Sequence, residues 1–121
     1  MYLLSVRRIT KVKLLIQGTN SFKDYNEFMR SMAVALSDVK DYLNIVSIGG
    51  YRINQMAREF VNVSEDGLKA RGVRISLRVL PASSVNIEEF DKMFFFCNNG
   101  DRLSEVGKKY KQKGDFSVFR H

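Results

Sequence analysis

VRISLRVL, residues 73 to 80, is the stretch that decides the fold. Side chains of an extended chain alternate between faces. Val73, Ile75, Leu77 and Val79 therefore face one way, and Arg74, Ser76 and Arg78 the other. A strand inside a parallel sheet is apolar on both sides. The alternation thus predicts an edge strand with one wet, basic face. Pro81 and the SSVN that follows end it.

Two apolar runs precede this strand. VKLLIQ, residues 12 to 17, predicts a buried strand that stops at Gly18, and NIVSIGG, residues 44 to 50, a second one closed by paired glycines. Between them Tyr25, Phe28, Met29, Met32, Leu36, Val39 and Leu43 step by three and four, the period of an amphipathic helix. Asp24 is placed to cap it, with Glu27 as a capping-box partner. Ile53, Met56, Ala57 and Phe60 predict a second helix running to Arg71, with Gly67 a weak point and Gly72 the stop. Beyond the edge strand come one helical turn around Glu88 to Phe90 and KMFFFC, residues 92 to 97, as a fully apolar strand. After the turn NNGD follow a last helix from Arg102 to Lys113 and a final strand, FSVF, at 116 to 119.

Strands and helices alternate throughout. Crossovers of this length require parallel strands and are right-handed, which leaves few topologies. With the third strand at an edge, the order is 3-2-1-4-5. That is an α/β, Rossmann-like three-layer sandwich, a five-stranded parallel sheet with helices on both faces. Its crevice lies at the carboxyl ends of strands 1 and 4, where the strand order reverses.

The 121 residues make a single domain, with residues 1 to 11 as a basic N-terminal extension. A net charge of +7 favours polyanionic partners such as nucleic acid, an acidic protein surface or phosphate-rich ligands. One cysteine, Cys97, allows no intramolecular disulfide and suggests a cytoplasmic home. MYLLSVRRIT has its apolar run before its basic pair, the reverse of a secretory signal. No run of 18 apolar residues is present, so no membrane span or membrane partner is expected. With one His and one Cys the chain has no metal-ligand spacing, and no cofactor is expected.

Three segments converge on the crevice: Gly18 to Tyr25, Gly49 to Asn54 and Cys97 to Arg102. Each opens a helix, and helix N-termini suit anions. The glycines are equally explained by the tight turns between strand and helix.

GTNSFKDY, residues 18 to 25, resembles the GSRSFxDY opening of small YspA-like proteins of the SLOG superfamily, which includes DprA and the LOG cytokinin-activating enzymes. GGYRINQMAREF, residues 49 to 60, is similar to that branch's GGARGADRLAREF, and FFFCNNGDRLSEVGKKYKQKG falls where the family has a strand leading into PGGxGT. The resemblance runs from about Val12 to Phe119 and implies a nucleotide or nucleotide-derived ligand at the crevice. Gly18, Thr19, Asn20 and Ser21 would supply donors, Gly49, Gly50 and Arg52 a second wall, and Asn98 and Asn99 a third. Phe22, Tyr25 and Tyr51 are candidates for base stacking.

The chain also departs from that pattern. Asn20 stands where the family has an arginine, Ile53 and Gln55 where it has a glycine and an acid, and Cys97-Asn98-Asn99 where it has PGG. Asp101 brings a negative charge to the phosphate position, and the insert between strands 3 and 4 shrinks to Ala82 to Lys92. The arginine and glutamate that serve hydrolysis in LOG enzymes have no counterpart. Asp24, Glu59 and Asp101 are the acids near the crevice. They read as a helix cap, a solvated helix residue and the cap of the last helix. Cys97 reads as a buried, inert thiol, since the sole histidine is His121 at the end of the sequence.

Two functions follow, neither requiring catalysis. One is a non-catalytic or weakly catalytic module that binds a nucleotide at the crevice. The other is a basic interaction protein with a degenerate site, in which Arg74, Arg78, Lys108, Lys109, Lys111 and Lys113 meet nucleic acid or an acidic host protein. Small size, basic charge and degenerate loops suit a phage accessory or anti-defence protein. The edge strand at 73 to 80 offers a route to a homodimer.

Overall fold

The structure is a computed structural model that describes residues 9–121. Arg7 and Arg8 of the basic extension lie outside the described residues, and Lys11 already belongs to the first strand. Five strands form one sheet: β1 (Lys11–Gly18), β2 (Tyr42–Ser47), β3 (Arg74–Val79), β4 (Lys92–Cys97) and β5 (Asp115–Arg120). Three helices connect them: α1 (Tyr25–Ala35), α2 (Tyr51–Ala70) and α3 (Glu105–Lys113). Every pairing is parallel and the order is β3-β2-β1-β4-β5. The edge position inferred from VRISLRVL is where β3 lies, and Arg74, Ser76 and Arg78 are exposed along it.

The sheet's alternation divides the core. Leu14, Ile16, Leu43, Ile45, Phe94 and Phe96 look toward α1 and α2, which bury Phe28, Met32, Ile53, Met56 and Phe60 against them. Leu15, Met93, Phe95 and Cys97 look the other way, toward Tyr110 of α3 and Phe90. That second face has less helix over it. Between β3 and β4 the chain makes two single 3₁₀ turns, Ala82–Ser84 and Ile87–Glu89, where a full crossover helix would otherwise lie.

Several boundaries differ from the sequence reading. α1 stops at Ala35, because the chain turns through Asp41 at φ 65° and Leu43 becomes an inward residue of β2. The apolar period continued past the helix end because Leu36 and Val39 stay buried as loop residues. α2 passes through Gly67 unbroken. That glycine is exposed, and its helix penalty of about 1 kcal/mol is outweighed by packing of the apolar stripe. α3 begins at Glu105, three residues later than expected, and its cap is Ser104, whose hydroxyl accepts from the Gly107 N–H at 3.0 Å. Asp24 does cap α1, accepting from the Glu27 N–H at 2.9 Å, but Glu27 turns to Arg30 and Ser31 rather than closing a capping box.

Phe96 sits where the layers meet. Its ring lies 4.6 Å from that of Phe28, 5.0 Å from Phe119 and 5.7 Å from Phe22, and it is fully buried. Truncation there removes several aromatic contacts at once and leaves a cavity. Phe96→Ala is expected to lose about 3–5 kcal/mol of unfolding free energy, a large share of the roughly 5–15 kcal/mol a domain has. Urea titration followed by far-UV circular dichroism measures it, and a loss below about 1 kcal/mol would contradict this packing.

Candidate functional site

The loops after β1, β2 and β4 mesh by their backbones at the carboxyl end of the sheet. Gly18 N–H donates to Gly49 O at 2.8 Å, Gly50 N–H to Gly18 O at 2.9 Å, and Thr19 N–H to Phe96 O at 3.0 Å. A Cβ on Gly18 would stand 2.5 Å from Phe96 O and 2.7 Å from Ile53 Cγ1, and one on Gly50 would collide with the Asn20 carboxamide. Close approach between loops therefore explains these two glycines without a ligand. Gly49 differs: its φ of 102° is one that glycine favours, its N–H donates to Asn54 Oδ1, and nothing stands near where a Cβ would be.

Asp101 occupies the centre of this junction. Its Oδ2 accepts from the Thr19 hydroxyl at 2.7 Å, the Ser21 hydroxyl at 2.8 Å and the Asn98 N–H at 2.8 Å. The Thr19 hydroxyl, the Asn98 N–H and the Ser21 hydroxyl hold its carboxyl below the usual carboxylate range, with a smaller contribution from the nearby Arg120 guanidinium. These are the donors that the sequence assigned to a phosphate. The chain fills them with its own anion. Asp101 is thus not the cap of α3 but a strut joining the first and third loops.

Beside this strut lies an open cleft of about 890 Å³ between Asn20, Ser21 and Lys23 on one side, Arg52 on another, and Asn98 and His121 on the third. His121 reaches it because it follows Arg120, the last residue of β5, which is level with Cys97 at the end of β4. Its N–H donates to Cys97 O at 2.9 Å, its carbonyl accepts from Asn99 N–H at 3.1 Å, and its Nε2 lies 3.0 Å from Asp24 Oδ2. Sequence reasoning set His121 aside as remote. The parallel register Cys97↔Arg120 would have placed it opposite Asn98.

The expected ligand residues divide sharply. Arg52, Asn20 and Ser21 line the cleft, and Tyr51 stands 69% exposed beside them, its hydroxyl accepting from Gln55 Nε2. Asn98 lines it too, but its side-chain amide is spent on Ser21 O at 2.8 Å, and Asn99 is exposed. Phe22 is a correction: it is fully buried against Phe96, because the first loop needs an apolar anchor to fold back on the sheet, and it cannot stack a base. Tyr25, 39% exposed, opens α1. Glu59 is exposed on α2 and does not line the cleft. Cys97 is buried within the α3 face, and burial pushes its thiol up, away from the reactive thiolate.

The basic residues do not form one groove. Arg74 and Arg78 lie on β3, at the opposite edge of the sheet from β5, the strand that α3 packs beside. On α3, Lys108 lies 3.5 Å from Glu105, and Lys113 lies over the Tyr110 ring and 4.0 Å from Glu88. Lys109 and Lys111 are exposed. Among the described residues no cluster of three or more His, Cys, Asp or Glu could hold a metal, and no helix is long and apolar enough to cross a membrane.

Fold and site define an α/β protein of Rossmann-like architecture whose open cleft lies at the switch point of the sheet. Compared with known proteins, the chain matches no family model, and no curated protein or solved structure gives a significant match.

The Asp101 strut makes stability depend on acid. Its folded-state pKa lies below the unfolded value, so its contribution is fully present above the ordinary carboxylate range and is lost as pH falls through the depressed value. Between about pH 5 and about pH 2 the urea midpoint should fall more steeply for the native chain than for Asp101→Asn. Parallel curves would show that the three donors do not favour the charged form.

Proposed function

We propose that the chain is a non-catalytic or weakly catalytic binding module for a nucleotide or nucleotide-derived ligand, seated in the cleft between the loops after β1, β2 and β4. One observation supports this most directly. Of the three helices described, only α2 has neither a side-chain cap nor an acid in its first turn, and it starts at this cleft. The N–H groups of Tyr51, Arg52 and Ile53 have no acceptor among the described residues. Uncapped N–H groups and a positive dipole end favour an anion, and Arg52 and Lys23 add positive charge, while the one carboxylate in the lining, Asp24, is turned to His121.

The Asp101 strut sets the pose. Since its carboxylate holds the Thr19, Ser21 and Asn98 donors, a phosphate is directed to the α2 end, and the exposed Tyr51 ring is available to a base. The resemblance of the first two loops to SLOG proteins favours the same ligand class. Catalysis is not called for. Asp24 has one oxygen on the Glu27 N–H and the other on His121, and Asp101 is kept ionised, so neither is placed as a proton donor.

Thermal melting with adenosine and guanosine mono-, di- and cyclic phosphates tests the proposal. A ligand selective for the native state raises its stability, and a rise of about 2 °C or more is expected with at least one phosphate-bearing compound. The parent nucleosides should give less, and Arg52→Ala should remove most of the shift. No rise with any compound, or an equal rise in Arg52→Ala, would reject this function for the cleft.

A further inference from the structure

The shortened connection between β3 and β4 leaves part of the sheet without a helix. Ala82, Val85, Ile87 and Phe90 cover the carboxyl half of the second face, packing near Leu15, Val46 and Leu80. Among the described residues, nothing covers the amino-terminal half of β1, β2 and β3. Parallel register arranges its side chains in rows: Lys11, Tyr42 and Arg74 in one, Lys13, Asn44 and Ser76 in the next, with Arg78 level with Val46 beyond them. Lys11, Lys13, Arg74, Ser76 and Arg78 are exposed, and Tyr42 and Asn44 are half-buried between them. Neighbours in a row stand about 4.8 Å apart, and Arg74 and Arg78 about 13 Å apart along the strand.

No acid belongs to these rows. Asp41 and Asp91 lie at the strand beginnings, where their carboxylates accept from Thr10 N–H and Lys13 N–H, each at 2.8 Å. Glu89 closes one side of a depression of about 230 Å³ that also borders Lys13, Asn44, Ser76 and Arg78. Beyond Lys13 the second row is polar but uncharged, with Asn44 and Ser76 side by side. Ser76 donates to Asn44 Oδ1 at 2.7 Å, which leaves the Asn44 NH₂ directed to other acceptors. Lys11 Nζ lies 5.8 Å over the Tyr42 ring. As an exposed lysine, it can exchange this contact for a phosphate while a base takes the ring.

We propose that this open face binds single-stranded nucleic acid, with phosphates on Lys11, Lys13, Arg74 and Arg78 and a base on Tyr42. Cations at the margins with an aromatic face and an amide between them suit a chain of alternating phosphates and bases. A second copy of the chain would bring like charges together. A duplex reader needs an element narrow enough for a groove, and three flat strands are too wide. The face is separate from the cleft, so its ligand does not depend on the function proposed there.

Fluorescence anisotropy with labelled oligouridylate and oligothymidylate tests this, using the full chain over a range of salt. Binding at low salt is expected, with a log–log salt slope of about −3, since each neutralised phosphate contributes roughly −0.7 on a single strand. Lys11→Glu with Arg74→Glu should flatten that slope, and Tyr42→Leu should weaken binding about fivefold or more while retaining apolar bulk. Lys108→Glu with Lys109→Glu, on α3, should change affinity less than about twofold. Arg78→Glu, at an exposed position, repeats the charge test if the double variant does not fold. Comparing oligouridylate with oligodeoxyuridylate tells whether the 2′-hydroxyl contributes. Absence of binding at low salt, or loss caused by the α3 pair rather than the face, would overturn the proposal. So would equal competition by polyglutamate with no effect of Tyr42→Leu, which would assign the face to an acidic protein.

Discussion

The carboxyl end of the sheet depends on one steric constraint, the absence of side chains at Gly18 and Gly50. It lets Gly18 exchange hydrogen bonds with Gly49 and Gly50 while Thr19 binds the carbonyl of Phe96. Any larger residue at Gly18 would meet backbone oxygen, which cannot swing away as a side chain can. The first loop then folds back onto the sheet, anchored by the buried Phe22. Three loops are held within backbone distance before any ligand is considered. The glycine-rich appearance of the chain is thus first a packing requirement.

Asp101 follows from that proximity. Once the first and third loops touch, two hydroxyls and an N–H converge on one point, and leaving them unmatched would cost each its hydration. A carboxylate there satisfies all three and ties residue 19 to residue 101. An internal anion in such a place has a second effect: it repels external phosphate from the same donors. The cations that remain unclaimed near the crevice, Arg52 and Lys23, are offset toward α2 and the loop tip. Asn20 packs its amide on Gly50, a position that a longer, charged side chain would not share with the meshed loops.

Much of this architecture was legible in the amino-acid order. Strict alternation in VRISLRVL placed β3 at an edge, and the apolar KMFFFC placed β4 inside, because period and polarity report burial directly. Element ends were less legible. Leu36 and Val39 kept the helical period after α1 had stopped, since a buried loop residue is apolar for the same reason a helical one is. At the site, the loops and Arg52 were found by position in the fold, whereas Phe22 and His121 were not. An aromatic in a polar loop can anchor or stack, and only the third dimension separates those fates. His121 required the β4–β5 register, a pairing between strands whose exact alignment the sequence leaves open.

Four cations, Lys11, Lys13, Arg74 and Arg78, lie on the face of β1 to β3. On α3, two of the four lysines, Lys108 and Lys113, lie near acids, Glu105 and Glu88. On β1 and β3 the pattern is different: Lys11 and Lys13 flank the half-buried Val12, and Arg74, Ser76 and Arg78 alternate with the half-buried Ile75, Leu77 and Val79, so each cation there is fixed to one face by the same periodicity that builds the core. Shifting β3 by one residue would bury Arg74 and Arg78. The register that secures the hydrophobic layer therefore also holds the basic rows in alignment. The β3–β4 connection holds only two single 3₁₀ turns, so among the described residues no helix lies over those rows.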